Sequence, residues 1–406
     1  MNPSISLSAP PPPERPAPAF VAGQDGRRYR PAERIGRGGE GSVYLVQEHP
    51  ELALKLYHQP APRIEAKLSA LIGMQLPCRA EGFLAAVPQQ IVYDADGRAC
   101  GFLMPRIGAC RPLYQVQRML YGEAAASRTS FLRSSGWRTA AAIAANLCSA
   151  VDCFHRRGLV LGDLNNCNIS VQADNTVVFF DLDSADVTDP QTGARFPCTV
   201  GFPDFLAPEL QGGLDAVSMS RSTDCFSLAV LVFMLLFKNY HPFHFRTLRR
   251  DLPSDDIPSP DRAIAEGICP FVRQVPGYAL PQDAPALELV PAGIQQLFRR
   301  AFGYTAETLP DSIPLRPSAG EWARALRELA GSDLRVCPRD REHVYPLHLS
   351  ACPWCACTPP SDPAAQVGLQ PAASVCPHCG QPMLGMFCTH CGRFLPRPSE
   401  TAPAHP

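Results

Sequence analysis

The strongest constraint on the fold lies at residues 158–183, which read GLVLGDLNNCNISVQADNTVVFFDLD. Two short apolar segments, residues 169–171 and 176–180, flank a turn-forming Ala-Asp-Asn and predict a β-hairpin. Such a hairpin would bring an Asn and an Asp at its two ends close together, with another Asp just upstream. These three residues are Asp163, Asn168 and Asp181. Phosphoryl transfer requires one carboxylate that orients an acceptor hydroxyl, beside an Asn and an Asp that hold Mg²⁺.

A glycine-rich segment near the N-terminus predicts a loop that closes over phosphates. Residues 35–44 read IGRGGEGSVY and fit the pattern G-x-G-x-x-G-x-V. A dinucleotide-binding turn has the same glycine spacing but opens a helix, whereas residues 42–47 and 52–57 here read as strands. The second strand carries Leu-Ala-Leu-Lys, which ends at Lys55. Because the backbone of a glycine loop approaches an anion closely, we expect phosphates to lie between this loop and Lys55.

The two segments together resemble the protein kinase family. The resemblance implies that Asp163 is the catalytic-loop Asp and that Asn168 and Asp181 hold Mg²⁺. It also implies that Lys55 grips the α- and β-phosphates of ATP.

Three later segments agree with this resemblance. Residues 207–209 read Ala-Pro-Glu and match the tripeptide that closes the kinase activation segment. Asp224 begins the longest apolar helix, where the family places an Asp that braces the catalytic loop. Arg316 stands where an Arg would pair with Glu209, and such a pair would be structural.

The nucleotide pocket implied by the resemblance includes a helix and a hinge. Glu65, on a helix predicted at residues 61–74, would pair with Lys55. Residues 104–106, Met-Pro-Arg, would form the hinge whose backbone receives the adenine edge. The implied nucleotide-binding residues are Ile35, Gly36, Gly38, Gly41, Val43, Ala53, Lys55, Glu65, Met104, Asn168 and Asp181.

Two motif positions depart from the family pattern. Gly162 replaces the Arg that usually precedes the catalytic Asp, and Asp183 replaces the Gly of Asp-Phe-Gly. Since that Arg is the usual partner of a phosphate on the activation segment, Gly162 predicts constitutive competence or control by a partner. The side chain of Asp183 keeps a second hypothesis open: a pseudokinase-type scaffold that binds nucleotide and recruits partners. A small-molecule phosphotransferase is disfavoured by the Ala-Pro-Glu closure.

Composition bounds the compartment and the partners. The chain has 406 residues and a formal net charge of −1. Its overall electrostatic field therefore does not favour binding to nucleic acid or to a membrane. The longest apolar run, residues 226–237, is too short to span a bilayer. The N-terminus is rich in Pro and Ala and lacks the features of a secretory signal. We therefore expect a cytoplasmic protein without membrane or nucleic-acid partners.

The last part of the chain carries cysteines at metal-ligand spacing. Two C-x-x-C pairs, in Cys-Pro-His-Cys and Cys-Thr-His-Cys, predict a structural zinc site in a zinc ribbon. A redox dithiol would need only one such pair. The four expected ligands are Cys376, Cys379, Cys388 and Cys391.

A second zinc site is predicted upstream of the ribbon. Its expected ligands are Cys337, His343, Cys352 and Cys355. His343 is preferred to His348 because it leaves the same interval before Cys352 that separates the two pairs of the ribbon. Cys357 competes less well, since C-x-C gives less room for tetrahedral geometry than C-x-x-C. The alternative of solvent-facing histidines and a free Cys337 thiol stays open.

These observations predict an α+β chain: a bilobal protein-kinase-like fold followed by small zinc-ribbon modules. The expected segments are a disordered Pro-rich tail (1–28), the kinase-like domain (29–330), a zinc-knuckle module (331–357), a linker (358–375), a zinc ribbon (376–395) and a disordered tail (396–406). The resemblance implies an ATP- and Mg²⁺-dependent kinase acting on Ser or Thr of a protein. It also implies von Willebrand A or phosphatase proteins as candidate partners, because such proteins accompany some similar bacterial proteins in stress-response systems.

Overall fold

The protein is described here by a computed structural model that covers most of the chain. The described residues are 17–121, 136–213, 218–248, 257–332, 334–341, 343–359, 373–375 and 382–384. The four cysteines of the predicted zinc ribbon lie outside these ranges. Within them, no helix combines the length and the apolar character needed to cross a bilayer.

The N-terminal part is a curled antiparallel sheet with one helix packed against it. Its elements are β1 Val21–Gly23, β2 Arg28–Tyr29, β3 Pro31–Arg37, β4 Gly41–Val46, β5 His49–Tyr57, α1 Ile64–Gly73, β6 Arg79–Ala80, β7 Phe83–Ala85, β8 Gln90–Tyr93 and β9 Ala99–Pro105. The order across the seven-stranded sheet is β2-β1-β8-β9-β5-β4-β3. The strands predicted at residues 42–47 and 52–57 are therefore present as β4 and β5.

Alternation along β5 decides where its side chains point. Successive residues of a strand face opposite sides of the sheet. Leu54 and Leu56 belong to the apolar cluster on one face, whereas Ala53 packs with Leu68 of α1 on the other face. Lys55 has the parity of Ala53 and therefore points to the face that α1 covers.

The ordered sheet begins before residue 29, where the sequence predicted the domain to start. Val21 is buried, and β1 pairs with both β2 and β8. The apolar segment there is only a few residues long and lies in Pro- and Ala-rich sequence. Local β-propensity therefore does not predict a strand. Burial of Val21 against the sheet stabilises a strand that its own sequence does not specify. The predicted tail at residues 1–28 was therefore too long.

The larger, C-terminal part is mainly helical. Its elements are β10 Arg111–Pro112, α2 Leu113–Tyr121, α3 Trp137–Arg156, β11 Ile169–Val171, β12 Val177–Phe179, β13 Val187–Thr188, β14 Arg195–Phe196, α4 Arg221–Leu236, β15 Arg246–Thr247, α5 Pro260–Glu266, β16 Tyr278–Ala279, α6 Ala292–Phe302, α7 Leu309–Ser312 and α8 Ala319–Ser332. Short 3₁₀ turns lie at Leu182–Ser184, Pro203–Phe205, Pro208–Leu210, Leu287–Leu289 and Ile313–Leu315.

The core of this part is built around α3 and α4. The many alanines of α3 are buried and allow α8 to pack closely against it. Phe226 and Phe233 of α4 meet Phe302 and Phe298 of α6 edge to face, with ring centroids 5.7 and 5.2 Å apart. Because α4 is apolar almost all round, nearly its whole surface is buried. This rigid core carries the loops that the sequence singled out.

The predicted hairpin at residues 169–180 is confirmed. β11 and β12 pair antiparallel, with Ile169 opposite Phe179. β12 also pairs in parallel with β7, so a strand from the N-terminal half extends the same small sheet. The hairpin is thereby fixed to both halves of the domain.

The segment at residues 244–291 is more structured than its composition indicates. It is polar and rich in Pro, which favours a long irregular connection, but it contains α5 and the β15–β16 pair. Ala263 and Ile264 of α5 are fully buried. The short helix is stabilised by these tertiary contacts, and its sequence is too short to reveal them.

Two short hairpins follow the helical part. They are β17 Leu334–Val336 with β18 Val344–Pro346, and β19 Ala373–Val375 with β20 Pro382–Leu384. β19 occupies the last residues of the predicted linker, so the linker ends earlier than position 375. The first hairpin carries part of the predicted upstream zinc site.

Candidate functional site

The loop that contains Asp163 is held by the first turn of α4. The Asp224 carboxylate accepts hydrogen bonds from the backbone N–H groups of Leu161 and Gly162, at 2.7 and 2.8 Å. The ring of His155 lies 2.9 Å from the same carboxylate, which is fully buried. Ser220 caps α4 in a capping box and fixes the helix start. These bonds position the backbone that precedes Asp163, as the sequence predicted for Asp224.

Asp163 and Asn168 are directly hydrogen-bonded. The Asn168 side-chain amide donates to Asp163 Oδ2 at 2.7 Å and to the Asp163 carbonyl at 3.1 Å. Asn165, which the sequence did not single out, donates to Asp163 Oδ1 at 2.7 Å. Since Asn168 uses its nitrogen toward Asp163, its amide oxygen is the atom it offers to a cation.

The Lys55 ammonium lies between two carboxylates. Its Nζ donates to Asp181 Oδ1 at 3.0 Å, and to the two oxygens of Asp183 at 2.9 and 2.8 Å. Burial would lower the pKa of Lys55, but the charges of Asp183 and Asp181 raise it from 10.5 to about 12. Lys55 is therefore protonated at neutral pH. Its stabilising contribution is complete below about pH 10.5 and is lost as the pH rises through about 12.

Asp183 is the most enclosed acidic group beside Lys55. Its side chain is 1% exposed, whereas that of Asp181 is 54% exposed. Tyr57 also donates its hydroxyl to Asp183 Oδ2 at 2.8 Å. Burial, followed by the charge of Asp183, raises the pKa of the Tyr57 hydroxyl, so it remains a donor. The sequence did not indicate Tyr57, because its role depends on a contact with a residue far along the chain.

Asp181 has a left-handed backbone, with φ of 54°. A non-glycine residue pays a steric cost there, and such residues cluster at functional sites. The Ser184 hydroxyl and backbone N–H both bond to the Asp181 carbonyl, at 2.7 and 3.0 Å, and hold this conformation. The exposed Asp181 carboxylate and the Asn168 amide oxygen are oxygen donors of the kind that Mg²⁺ prefers.

Glu65 does not pair with Lys55, contrary to the prediction from the sequence. It is exposed on α1 and accepts a hydrogen bond from the Tyr93 hydroxyl at 3.0 Å. This carboxylate lies in the first turn of α1 and reaches Tyr93 at the end of β8. Among the described residues, the carboxylates in salt-bridge contact with Lys55 are those of Asp181 and Asp183.

The glycine loop joins β3 to β4 above this cluster. Gly38 N–H donates to the Gly41 carbonyl at 2.8 Å, and the loop backbone turns tightly there. A Cβ at Gly41 would lie 2.5 Å from the Leu56 carbonyl oxygen, so this position requires glycine. The buried ring of His58 contacts the Ser42 hydroxyl at 3.0 Å and the Gly39 carbonyl at 3.3 Å. His58, which the sequence did not indicate, therefore ties the loop to the end of β5.

The remaining predicted pocket residues lie on or between strands of the N-terminal sheet. Ala53 and Met104 are buried neighbours across β5 and β9, and Val43 packs on the same cluster. Ile35, which precedes the first glycine, is half exposed. Apolar side chains thus stand beside the glycine loop and the hinge, where the resemblance places an adenine ring.

The segment after Asp183 is held by its own ion pair. Arg195 binds the buried Asp186 carboxylate with two nitrogens, at 3.0 and 2.9 Å, and contacts the Met219 carbonyl at 3.1 Å. Asp186 also accepts from the Cys198 N–H at 3.2 Å. The closing Glu209 pairs bidentately with Arg316, at 2.6 and 2.7 Å, as predicted. These two ion pairs therefore fix the segment near both of its ends.

The upstream cysteine cluster is assembled around β17 and β18. The ligand atoms of Cys337, His343, Cys352 and Cys355 all lie within 4.8 Å of one another. His348 instead donates to the Glu288 carbonyl at 2.9 Å. Cys357 Sγ bonds to the Thr358 carbonyl at 3.6 Å. Three thiols and one imidazole form a donor set suited to Zn²⁺, so these residues fit a structural zinc site.

This module packs on the helical part of the domain. Trp354 donates its indole N–H to the Val344 carbonyl at 3.0 Å, and the Lys238 ammonium lies 5.2 Å from its ring centroid. Leu349 and Trp354 pack against the main core cluster. A metal at this site would therefore stabilise an element that is already docked on the larger lobe.

Comparison with known proteins gives similar relatives, although no protein-family model matches the chain. Protein kinase YegI of Escherichia coli O157:H7 is 30% identical over 336 residues, which cover 82% of this chain and 49% of YegI. YegI of Escherichia coli K12 is also 30% identical, over 327 residues, or 79% and 48% of the two chains. Serine/threonine-protein kinase PknD of Chlamydia felis is 27% identical over 286 residues, or 63% and 29%. The chain thus spans about half the length of the YegI relatives.

Proposed function

This chain belongs to a family of bacterial protein-kinase-like proteins, and on that premise we propose that it transfers the γ-phosphoryl group of ATP to Ser or Thr of a protein. The observation that carries the proposal is the convergence of Lys55, Asp163, Asn168 and Asp181 at one place. The Ser/Thr choice is supported by the name of the PknD relative.

The chain's own residues have distinct parts in this reaction. Asp163 orients the acceptor hydroxyl and accepts its proton, while Asn165 and Asn168 hold the carboxylate in place. Asn168 and Asp181 would hold Mg²⁺, which neutralises the charge on the phosphates. Lys55 and the glycine loop hold the phosphate oxygens. Positioning and electrostatic stabilisation supply most of the rate enhancement in this chemistry.

Control of this activity would not depend on a phosphate on the activation segment. Gly162 offers no side chain to bind such a phosphate, and Asp186 with Arg195 already ties the segment. We propose that the enzyme is constitutively competent or is controlled by a partner. Partners with von Willebrand A or phosphatase domains belong to this proposal and rest on the resemblance alone.

The zinc modules are proposed to be structural. The four assembled ligands at residues 337–355 support one zinc site, and the C-x-x-C pairs of the ribbon support a second. Thiolate ligands persist in a reducing compartment, which is consistent with the proposed cytoplasmic location.

A nucleotide-binding scaffold is the second candidate function. The observation that favours it is the bidentate contact of Asp183 with Lys55, which occupies the ammonium that would bind phosphates. The two candidates differ in turnover. The scaffold would bind ATP and release no ADP.

Calorimetry with ATP and Mg²⁺, followed by assay of ADP and phosphorylated Ser or Thr, tests the proposal. The kinase hypothesis predicts binding together with ADP formation and phosphate on Ser or Thr. An Asp163→Asn variant should bind ATP with unchanged affinity and lose on the order of 100-fold or more in rate. Tight binding without ADP or phosphoprotein would support the scaffold instead.

A further inference from the structure

The partner of the phosphate-binding lysine comes from an unexpected element. In the chain, α1 carries one carboxylate, Glu65, and it bonds to Tyr93. Lys55 receives its close, buried carboxylate contacts from Asp183, which follows Asp181 by two residues. The counter-charge of Lys55 therefore lies on the metal-binding loop and not on the helix.

Two donor groups, which make three hydrogen bonds, converge on the Asp183 carboxylate from one face of β5. Lys55 contacts both oxygens at 2.8–2.9 Å, and the Tyr57 hydroxyl donates at 2.8 Å from the same face of β5. Asp183 is almost completely enclosed, so its charge requires these partners. Lys55 in turn remains in contact with the exposed Asp181 carboxylate at 3.0 Å.

The face of α1 near this site carries a cation. Burial lowers the pKa of Lys67, and the nearby acidic groups, among them Asp183, act in the opposite direction. The electrostatic pattern between α1 and the loop is therefore reversed: a basic residue lies on the helix and the acidic residue lies on the loop. Lys67 is half-buried, so it lies against the domain and not in open solvent.

We propose that Asp183 is the positioning residue that fixes the Lys55 ammonium for the phosphates, in place of a carboxylate on α1. This inference rests on the proposed kinase function. Because Asp183 and Asp181 belong to one short turn, the lysine and the metal-binding Asp are positioned together. Displacement of α1 leaves the lysine pair intact, whereas displacement of residues 181–183 breaks both contacts at once.

Enzyme kinetics on the full chain separate this role from a general structural one. Asp183→Asn should raise the KM for ATP and lower kcat, with a loss in kcat/KM on the order of 100-fold. Asp183→Glu should recover part of that loss because it restores the charge. Glu65→Gln tests the competing helix carboxylate and should change kcat/KM less than about twofold, as expected for an exposed group. Melting temperatures of all variants identify any that are simply unfolded.

A compensating pair of substitutions provides the sharper test. Asp183→Gly with Lys67→Glu moves the carboxylate from the loop to the neighbouring face of α1. The double variant should exceed each single variant in kcat/KM for ATP. Unchanged kinetics in Asp183→Asn, or an equal loss in Glu65→Gln, would overturn the proposal.

These experiments give a different result if the proposed kinase function is wrong. In that case the wild type itself releases no ADP, and calorimetry with Mg·ATP decides the role of Asp183. Weaker ATP binding in Asp183→Asn, with Glu65→Gln unchanged, would support the positioning role. Equal affinities in the wild type and both variants would contradict it.

Discussion

At the scale of single residues, Gly162 shows why the usual arginine is absent beside the catalytic Asp. Its φ is +76°, and a Cβ there would lie 2.7 Å from Cys198 Cβ. Cys198 is buried and is held to Asp186 through its backbone. A side chain at position 162 therefore conflicts with both the backbone conformation and the packed activation segment.

Gly162→Ala should destabilise the domain more than Gly193→Ala. Both glycines have positive φ, so each substitution costs about 1–2 kcal/mol of backbone strain. Only position 162 adds the clash with Cys198, worth about 1–3 kcal/mol, because nothing lies within 4 Å of a Cβ at Gly193. Urea unfolding of both variants measures the difference, and equal losses would show that the loop relaxes around the methyl group.

The sequence revealed the site residues that have fixed spacing and missed those that depend on the fold. Asp163, Asn168 and Asp181 are readable because one loop and one hairpin bring them together. Asp183 and Tyr57 act through a contact between residues 126 positions apart, and His58 acts through a contact with Ser42 on the preceding strand. Glu65 was assigned wrongly because the resemblance places the lysine's partner on this helix, whereas here the buried partner is Asp183 on the loop.

At the scale of elements, α4 anchors the catalytic loop and the activation segment from one core. Asp224, in its first turn, holds the loop backbone, and Arg316 contacts both Glu209 and the Ser222 carbonyl. Long periodic helices such as α3 and α4 were predictable from their apolar pattern. The short helix α5 and the short strand β1 were not, because tertiary burial decides them.

Arg316→Met should cost about 3–5 kcal/mol of unfolding free energy, because it leaves the Glu209 carboxylate without its partner in a nearly buried site. The matched control is Arg156→Met, which removes an i,i+4 pair with Asp152 in which the arginine is 70% exposed. That change should cost less than about 1 kcal/mol. Denaturant unfolding measures the loss of unfolding free energy in each variant. Equal losses would contradict the larger stabilisation that we assign to the buried pair.

At the scale of the whole molecule, the zinc-knuckle module is docked on the helical lobe. Trp354 and Leu349 pack against the domain core, and His348 bonds to the Glu288 carbonyl. Cysteine spacing predicted the ligand set, whereas no sequence pattern predicted which surface of the helical lobe the module contacts. Metal binding should therefore stabilise the kinase-like domain as well as the module.

Zinc content per chain tests the ligand assignment. The wild type should contain two zinc ions, one at residues 337–355 and one at the ribbon cysteines. His343→Ala should reduce the content to one, whereas His348→Ala should leave it at two. The reverse pattern would place His348 in the site, and a single zinc in the wild type would remove the upstream site.

The proposed phosphoryl transfer depends on Asp163 and Asp181, so substitution of both residues should abolish it. Labelled γ-phosphate from Mg·ATP is followed into the protein itself and into a generic acceptor protein, for the wild type and for Asp163→Asn, Asp181→Asn. We expect the wild type to incorporate phosphate and the double variant to lose on the order of 1,000-fold or more in the rate of incorporation. Equal incorporation by the two proteins would contradict the assignment.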